Sequence, residues 1–219
     1  MSNVVFFDGV DDNVNCGTGV GSLDITGPIT VIARIKIPLS AVNGDRFFIV
    51  KDTATYRYGL YWDKSNGKYL FFTRLTINGV KSTTVANINP RDNRWHHVCG
   101  TFDGRYLRIY VDGQYYGIAD AGSADTITTS ATALLIGSWT GVFNEMIASE
   151  FQIYNRALSD DEVLYNYSHP NNPKRRGLVL NLTQDSIYGP TWLDLSGNAN
   201  NGTYVGGAVP VTANRLAGR

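Results

Sequence analysis

The sequence is short of cysteine and has no surplus of basic residues, and each shortage excludes a class of protein. Its 219 residues contain 2 cysteines, Cys16 and Cys99, which are too few for a disulfide framework. No histidines stand near them at a zinc-binding spacing. Cys99 falls within a predicted strand and is interpreted as a small buried group; its pairing with Cys16 stays open, provided that their strands are neighbours. Lys+Arg and Asp+Glu both number 19, so the charge does not favour nucleic acid as a partner.

Long apolar runs are also missing. No run reaches the roughly 18–20 residues that a membrane helix needs, so we expect no membrane insertion. The start, MSNVVFFD, has no charged segment followed by a long apolar core and does not resemble a signal peptide. We expect a cytosolic protein or one exported without a leader, as by release inside a virus particle. A mature fragment that has lost its leader is the competing explanation.

Glycine and aromatic residues are plentiful, and they favour twisted β-sheet. There are 23 Gly, and Phe, Trp and Tyr make up 12% of the chain. Between residues 94 and 117, two alternating apolar and polar runs are separated by Asp103-Gly104, and the second ends at Asp112-Gly113. Asp-Gly between such runs is a strong hairpin signal, because both central turn residues need positive φ. This stretch predicts three strands joined by two tight turns.

The rest of the chain repeats the same pattern. About ten short strands with turns at intervals of roughly 8–12 residues predict an all-β sandwich or jelly roll. One helix is predicted over residues 159–167, where Ser159 and Glu162 have the spacing of a capping box. The Pro- and Asn-rich segment that begins at His169 ends this helix.

Four segments together resemble the laminin G-like, concanavalin A-like jelly-roll family. They are residues 7–14 (FDGVDDNV), 95–113 with WHHV and its two Asp-Gly turns, 136–137 (IG) and 151–159 (FQIYNRALS). The resemblance covers roughly residues 4–167 and implies a sandwich of two antiparallel sheets. It does not imply one activity, because members of this family bind glycans, proteins or calcium, or act as structural modules.

The order of the segments departs from the family pattern. A strand at 178–182 and a polar loop at 194–203 resemble pieces that normally precede the FDGVDD segment. We therefore predict a sandwich over 1–168, a linker over 169–177 and an extension over 178–219. The extension completes either its own sandwich, as in a circular permutation, or that of a neighbouring subunit.

The glutamates do not form the pair of carboxylates that a glycosidase needs. The related laminarinase-type hydrolases carry Glu-x-Asp-x-x-Glu on one strand. Here Glu145 and Glu150 have the outer spacing, but Ile147 stands in place of the aspartate, and Glu162 belongs to the capping box. We therefore expect no enzymatic activity.

The adjacent histidines do not suggest a metal site either. His96 and His97 are neighbours on a predicted strand and so face opposite sides of the sheet. They cannot hold one metal ion together, and a structural role is expected.

Calcium is the metal that the remaining oxygen-rich segments suit, and no other cofactor is expected. Carboxylates, amides and loop carbonyls are its usual ligands. We predict Asp8, Asp12 and Asp194 as ligands of a structural calcium ion, in two loops that also contain Asp11, Asn13, Asn15, Ser196, Asn198 and Asn200. The alternative is that these residues only form turns.

Aromatic residues at strand ends and loops are the candidates for ligand binding. Sugars and protein partners both stack on such rings. We predict Tyr56, Tyr58, Trp62 and Trp139 as binding residues. The alternative is that they cover the edges of the core, since aromatic residues do most of the packing in sandwiches.

These observations predict a non-enzymatic binding or structural protein at a virion or extracellular surface. The first hypothesis is a homo-oligomeric structural protein on a particle, such as a virion decoration or tail-associated protein with protein partners. The alternative is a lectin-like module of an adhesin or carbohydrate-active system that binds cell-surface glycans.

Overall fold

A computed structural model describes residues 3–18, 21–41, 44–51, 55–65, 67–85 and 88–212. Within these residues, no helix has the length and apolar character needed to cross a membrane.

The described residues form nineteen strands, one α-helix and one short 3-10 helix. The strands are β1 Asn3–Asp8, β2 Asn13–Thr18, β3 Ile29–Lys36, β4 Arg46–Lys51, β5 Tyr58–Asp63, β6 Lys68–Leu75, β7 Gly79–Val85, β8 Trp95–Phe102, β9 Tyr106–Val111, β10 Gln114–Asp120, β11 Ala133–Ile136, β12 Ser138–Trp139, β13 Val142–Phe143, β14 Glu145–Tyr154, β15 Leu178–Thr183, β16 Ile187–Tyr188, β17 Thr191–Trp192, β18 Gly202–Val205 and β19 Val209–Thr212. The helix α1 is Asp160–Ser168, and the 3-10 helix is Gln184–Ser186.

Two large antiparallel sheets stack face to face, which confirms the predicted jelly-roll sandwich. Sheet I has the order β10-β9-β8-β3-β14-β1-β19, with β15 also paired to β14. Sheet II has the order β16-β17-β18-β2-β11-β4-β5-β6-β7, and β12 and β13 form a separate hairpin. The strands outnumber the ten or so predicted because several consist of only two to four residues.

The two Asp-Gly turns differ in conformation. Asp112 and Gly113 have φ of 50° and 77°, as predicted for a tight turn in which both central residues have positive φ. At the first turn, only Gly104 has positive φ, at 106°. Asp103 instead accepts backbone hydrogen bonds from Arg105 and Tyr106, at 3.0 and 2.8 Å. The hairpin was predicted correctly, but its turn is centred one residue further along the chain.

The main core lies between the sheets and follows the alternation of each strand. On β3, Val31, Ala33 and Ile35 are fully buried in this core, whereas Arg34 and Lys36 point to the other face. Burying each large aliphatic or aromatic side chain contributes about 1.5–3 kcal/mol. The alternation therefore fixes the register of the strand, because a slip of one residue would turn the charged side chains inward.

Helix α1 covers part of the outer face of sheet I. Its N-terminus has the predicted capping box: the Glu162 amide donates to Ser159 Oγ at 3.3 Å, and the Ser159 amide donates to Glu162 Oε2 at 3.1 Å. Under the helix lies a second apolar cluster that includes Ile32, Tyr154 and Val163. The helix therefore gives sheet I a second buried layer.

The C-terminal strands pair with strands of the same chain in both sheets. β15 pairs with β14, β18 with β2 and β19 with β1. Exchange of these strands with a second copy stays a prediction, as do the boundaries of the domain, linker and extension. Residues 213–219 of the predicted extension lie outside the described residues.

The two cysteines are free and lie in different parts of the structure. Cys16 on β2 belongs to the core between the sheets, whereas Cys99 on β8 belongs to the cluster under helix α1. Their strands are in separate sheets, so the condition for pairing them is not met. Burial raises the pKa of both thiols.

Candidate functional site

The outer face of sheet II carries a cleft of about 390 Å³ that is lined by five aromatic rings. We call this site the aromatic cup, and its rings are Phe47, Tyr56, Tyr61, Phe72 and Trp139. They contact one another in a closed circuit. Going round from Phe47 through Tyr61, Phe72, Tyr56 and Trp139 and back to Phe47, the ring centroids are 5.0, 5.8, 5.9, 5.1 and 4.7 Å apart. These separations are those of favourable aromatic pairs.

Strand alternation places these rings on the outside. On β5, Leu60 and Trp62 enter the core between the sheets, so Tyr61 points outward. On β6, Phe71 enters the same core, and Phe72 points outward.

Gly59 on β5 makes room for the Phe72 ring. A Cβ atom at Gly59 would lie 2.9 Å from Cζ of Phe72 and 2.5 Å from the carbonyl oxygen of Ile49. A larger residue at this position would therefore displace either the ring or the neighbouring strand.

Trp139 is held over the cup by the β12–β13 hairpin. Asn144, which follows the hairpin and is fully buried, accepts a hydrogen bond from the Phe47 amide at 3.2 Å and donates one to the Phe47 carbonyl. Thr140 in the hairpin turn and Tyr56, whose ring contacts Trp139, have φ of 40° and 57°, which non-glycine residues adopt at a cost. Strained backbone of this kind is common beside binding sites.

Polar groups border the aromatic floor. Asp45, Arg74 and Ser82 also line the cleft. Burial raises the pKa of the Tyr61 phenol to about 12, and that of Tyr56 is also raised by burial. Both phenols therefore keep their protons at neutral pH and can donate hydrogen bonds. The cup thus combines flat apolar surfaces with hydrogen-bonding groups of both kinds.

The structure brings together only two of the four aromatic residues predicted to bind a ligand. Tyr56 and Trp139 lie in the cup, but Tyr58 and Trp62 belong to the core and are only 1% and 6% exposed. The Tyr58 hydroxyl donates to the Leu23 carbonyl at 2.8 Å. Placing these two residues at an exposed strand end was wrong, because they share the inward phase of β5.

The prediction missed Phe47, Tyr61 and Phe72. Their signal is present in the sequence as the outward phase of β4, β5 and β6, where a soluble sheet usually carries polar residues. Aromatic residues at positions opposite in phase to the core are the pattern that identifies the cup.

A cluster of three aspartates lies at the end of β1 and in the turn that leads to β2. Candidate ligand atoms of Asp8, Asp11 and Asp12 all lie within 4.8 Å of one another. Asp12 is fully buried: its Oδ2 accepts from the Asp8 amide at 2.6 Å, while its Oδ1 has no hydrogen-bond partner among the described residues. A buried carboxylate oxygen without a partner is costly, and a hard cation would satisfy it. These three residues therefore fit a calcium ion.

Asp194 does not join this group. Its two carboxylate oxygens accept hydrogen bonds from the Asn181, Ser196 and Asn200 amides and from Ser196 Oγ, at 2.7–3.0 Å. The side chain organises its own loop, as in the turn interpretation of this segment. The predicted set of Asp8, Asp12 and Asp194 is therefore not brought together, and Asp11 takes the third place.

None of the three glutamates is among the described residues that line the cup. Glu145 Oε1 accepts a hydrogen bond from Ser40 at 3.3 Å, and Glu150 is buried in sheet I. Glu162 forms an ion pair with Arg156 at 2.6 Å, which lowers the pKa of its carboxyl to about 2.

The adjacent histidines face opposite sides, as predicted. Nδ1 of His96 lies 2.9 Å from Oδ2 of Asp112, and Nε2 lies 3.2 Å from Asp92. The His97 ring packs instead against Tyr167 of helix α1, with centroids 5.7 Å apart.

Comparison with known proteins identifies the family. A laminin G-type family model, described as the concanavalin A-like lectin/glucanases superfamily, matches residues 8–164, which is more than half of the chain. A search of curated proteins finds no match.

Solved structures share the fold at low sequence identity. A Bacteroides ovatus ATCC 8483 protein, provisionally named a carbohydrate binding protein, has a TM-score of 0.71 and 18% identity over 97% of this chain. This chain spans 60% of that protein's length. A heptameric SAP-like pentraxin from Limulus polyphemus has a TM-score of 0.63 and 17% identity, covering 95% of this chain and 94% of its own. Domains LG4-5 of the mouse laminin alpha1 chain reach 0.53 and 15%, covering 72% of this chain and 44% of their own. The chain belongs to the concanavalin A-like lectin/glucanases superfamily.

Proposed function

We propose that this protein is a non-enzymatic carbohydrate-binding module and that the aromatic cup is its binding site. The closed circuit of five rings on the outer face of sheet II carries this proposal. Phe47 and Phe72 form its buried floor, at 5% and 3% exposure, while the partly exposed Tyr56, Tyr61 and Trp139 present ring surface to a ligand. Sugar rings present apolar C–H faces that stack on aromatic side chains and hydroxyl groups that need polar partners.

The border of the cup supports a ligand with many hydroxyl groups. Asp45 supplies an acceptor and Arg74 a donor, while Ser82 supplies both. The Bacteroides ovatus protein with the same fold is provisionally named for carbohydrate binding, which supports the same class of ligand.

The arrangement of carboxylates supports binding without hydrolysis. A glycosidase of the common type places two carboxyl groups on either side of the scissile bond, roughly 5–10 Å apart. Among the described residues that line the cup, Asp45 is the one carboxylate. The described part of the cup can therefore hold a sugar but offers no second carboxylate with which to cleave it.

The test is a glycan array followed by calorimetry with the best glycan. We expect Trp139→Ala to weaken binding at least tenfold, because it removes one wall of the cup. Tyr116→Ala is the matched control: it removes a ring that is 47% exposed on β10 of the other sheet, and it should leave the affinity unchanged. Equal effects of the two variants, or no glycan bound by the wild type, would contradict the proposal.

We further propose that Asp8, Asp11 and Asp12 hold a structural calcium ion. The unpartnered Oδ1 of the fully buried Asp12 supports this assignment. The turn before β19 also lies against the group, since a Cβ atom at Gly207 would be 2.9 Å from Asp12 Oδ1. A bound ion would tie β1, β2 and this turn together.

Thermal unfolding with and without calcium tests this site. At a calcium concentration of about 100 times Kd, the stability should rise by roughly 2.7 kcal/mol. Asp12→Asn should abolish the rise. Asp194→Asn should lower the starting stability but keep the rise, because Asp194 acts within its own loop. An unchanged melting temperature of the wild type in calcium and in chelator would refute the site.

The narrower role in a virion or another surface assembly remains a proposal. It is supported by the edge strand β10 of sheet I, where Tyr116 and Ile118 are 47% and 51% exposed. The Limulus pentraxin of the same fold is heptameric, which also supports an oligomer. Light scattering of the full chain tests the oligomer, and a monomer at all concentrations would remove its main support.

A further inference from the structure

A second cleft, of about 340 Å³, opens on sheet I, where two strands share one edge of β14. β1 pairs with β14 up to Ala148, and β15 pairs with it from Glu150 onward. Ser149 lies between these two stretches, at a bulge in the pairing of β14 with β3 on its opposite edge. We call this site the polar cleft; Arg34, Trp95, Ser149, Glu150 and Thr183 line it, together with Val4.

Glu150 is the terminus of a buried hydrogen-bond network. Asn166 and the Tyr154 hydroxyl donate to Gln152 Oε1 at 3.2 Å, and the Gln152 amide donates in turn to Glu150 Oε1. Oε2 of Glu150 has no hydrogen-bond partner among the described residues, although the side chain is only 2% exposed. The network therefore ends in one unsatisfied buried atom on a residue that lines the cleft.

Arg34 stands directly across from Glu150 on the neighbouring strand. The two residues are register partners of β3 and β14, but none of the ion pairs in the described part of the chain joins them. The Arg34 guanidinium donates to the Tyr167 carbonyl at 3.4 Å. Arg34, which carries a cationic group, and Glu150, which carries the unsatisfied carboxyl oxygen, therefore both line the same cleft.

The balance of groups favours an anionic ligand over a cationic one. Burial without an ion pair disfavours the charged form of Glu150, and a neutral carboxyl can donate a hydrogen bond from its free oxygen. Ser149 and Thr183 add hydroxyl donors. A ligand cation would instead meet the positive charge of Arg34.

We propose that the polar cleft binds a small molecule that carries a carboxylate on a flat ring. The carboxylate lies between the Arg34 guanidinium and the protonated carboxyl of Glu150, and the ring packs against Trp95, which is 38% exposed. This site is separate from the aromatic cup and does not depend on the function proposed for it.

The electrostatic surroundings of Glu150 agree with this arrangement. Burial raises the pKa of its carboxyl to about 8, although Arg34 and the hydrogen bond from Gln152 act in the opposite direction. The titratable groups that join Arg34 and the Glu150 network on this face include His97 on β8, Tyr154 on β14 and Tyr167 on α1. Burial lowers the pKa of His97 to about 4 and raises that of Tyr154, so both are neutral near pH 7.

Three probes of one shape and different charge test the proposal. Benzoate, benzamide and benzamidine are titrated into the full chain at pH 6.5 and followed by ¹H–¹⁵N NMR. We expect benzoate to bind at least tenfold more tightly than the other two and to shift the amide signals of β14 and β15. Preferential binding of benzamidine would overturn the proposal, because it requires an ionised Glu150; so would the absence of binding by all three.

Four variants locate the site and assign the roles. Arg34→Gln and Trp95→Ala should each weaken benzoate binding at least tenfold, and either serves if the other fails to fold. Glu150→Gln should retain benzoate binding, because the amide still donates, but lose the weakening that the wild type shows above about pH 8. Trp139→Ala should leave benzoate binding unchanged. Loss of binding in Trp139→Ala but not in Arg34→Gln would place the probe in the aromatic cup and refute the polar cleft.

Discussion

The outer faces of the two sheets are covered by different structures. Sheet I is covered in part by helix α1, and buried polar side chains continue beside the helix up to the polar cleft. Sheet II has no helix over its described residues, and aromatic rings close its outer face around the cup. One sandwich core therefore supports two surfaces, one in which protonation matters and one in which shape matters.

This difference shows why the two faces should respond to different changes. Ring contacts in the cup depend on side-chain shape and do not change with pH near neutrality, since its tyrosines stay protonated. The network that ends at Glu150 depends on charge state and on the position of helix α1. Substitutions can therefore alter the two faces together, through the core, or separately.

The largest effect should come from the shared core. Trp192 is fully buried, its Nε1 donates to the Thr183 carbonyl at 2.8 Å and its ring contacts Phe151 edge to face. We expect Trp192→Ala to lower the free energy of unfolding by roughly 3–5 kcal/mol. The loss should weaken ligand binding at both clefts, because both rest on this core. Denaturant unfolding measures the loss. A cost below about 1 kcal/mol would mean that the C-terminal segment is not part of the cooperative core.

Removal of the C-terminal segment distinguishes strand pairing within one chain from strand exchange between subunits. A chain ending at Arg176 lacks β15 to β19, which pair in both sheets. If the strands close their own sandwich, the truncated chain should unfold or aggregate, and the full chain should be a monomer. A full-length oligomer that becomes a folded monomer on truncation would show instead that subunits exchange these strands.

The next largest effect is a pair of opposing pH dependences on sheet I. His97 is buried, and burial lowers its pKa in the folded state to about 4, below its ordinary value of 6.5. Its contribution to stability is therefore present above pH 6.5 and is lost as the pH falls toward 4, by roughly 3 kcal/mol. His97→Gln should remove this loss, as measured by denaturant unfolding across that range.

Glu150 should act in the opposite direction. Its folded pKa of about 8 lies above its ordinary value of 4.5, so its contribution to stability is present below pH 4.5 and is lost as the pH rises toward 8. Between pH 4.5 and 6.5 the two groups should offset each other. Glu150→Gln should expose a stability that rises with pH in this window, and His97→Gln one that falls. Parallel profiles for the two variants would contradict the assignment.

The smallest effect should distinguish the two faces most cleanly. Ser159→Ala removes the cap of helix α1 and should cost about 1 kcal/mol. The residues that follow the helix border the polar cleft, where Pro170 and Asn171 form part of the wall. We expect weaker benzoate binding and unchanged glycan binding. An equal effect on both ligands would mean that the faces are coupled.

The sequence was sufficient for the fold because the fold depends on local patterns. The alternation of β3, the capping box at Ser159 and the turn at Asp112-Gly113 each act over a few residues, and each prediction was confirmed. Of the five rings in the aromatic cup, only Tyr56 and Trp139 were among the predicted binding residues. Tyr58 and Tyr61 are both tyrosines of β5, and only the phase of the strand relative to the core separates them.

The polar cleft could not be predicted at all. It requires knowing that β1 and β15, which are separated by most of the chain, meet along one edge of β14. The gap between these two pairings and the bulge at Ser149, which lies in the pairing of β14 with β3, have no local signature. Likewise, Asp194 was indistinguishable from Asp11 as a candidate ligand until its hydrogen bonds were known.

The pairing of β1 with β19 has a mechanical consequence. Asn3 faces Thr212 across an antiparallel ladder, so the two ends of the described chain leave the sandwich at the same point. A force that pulls these ends apart would load the backbone hydrogen bonds between β1 and β19 one pair at a time. β19 would therefore detach at low force. The same force applied along the length of β14, which pairs with strands on both edges, would load many backbone hydrogen bonds at once. A protein anchored through its ends would thus yield first at β19, while the strands around the aromatic cup stay intact.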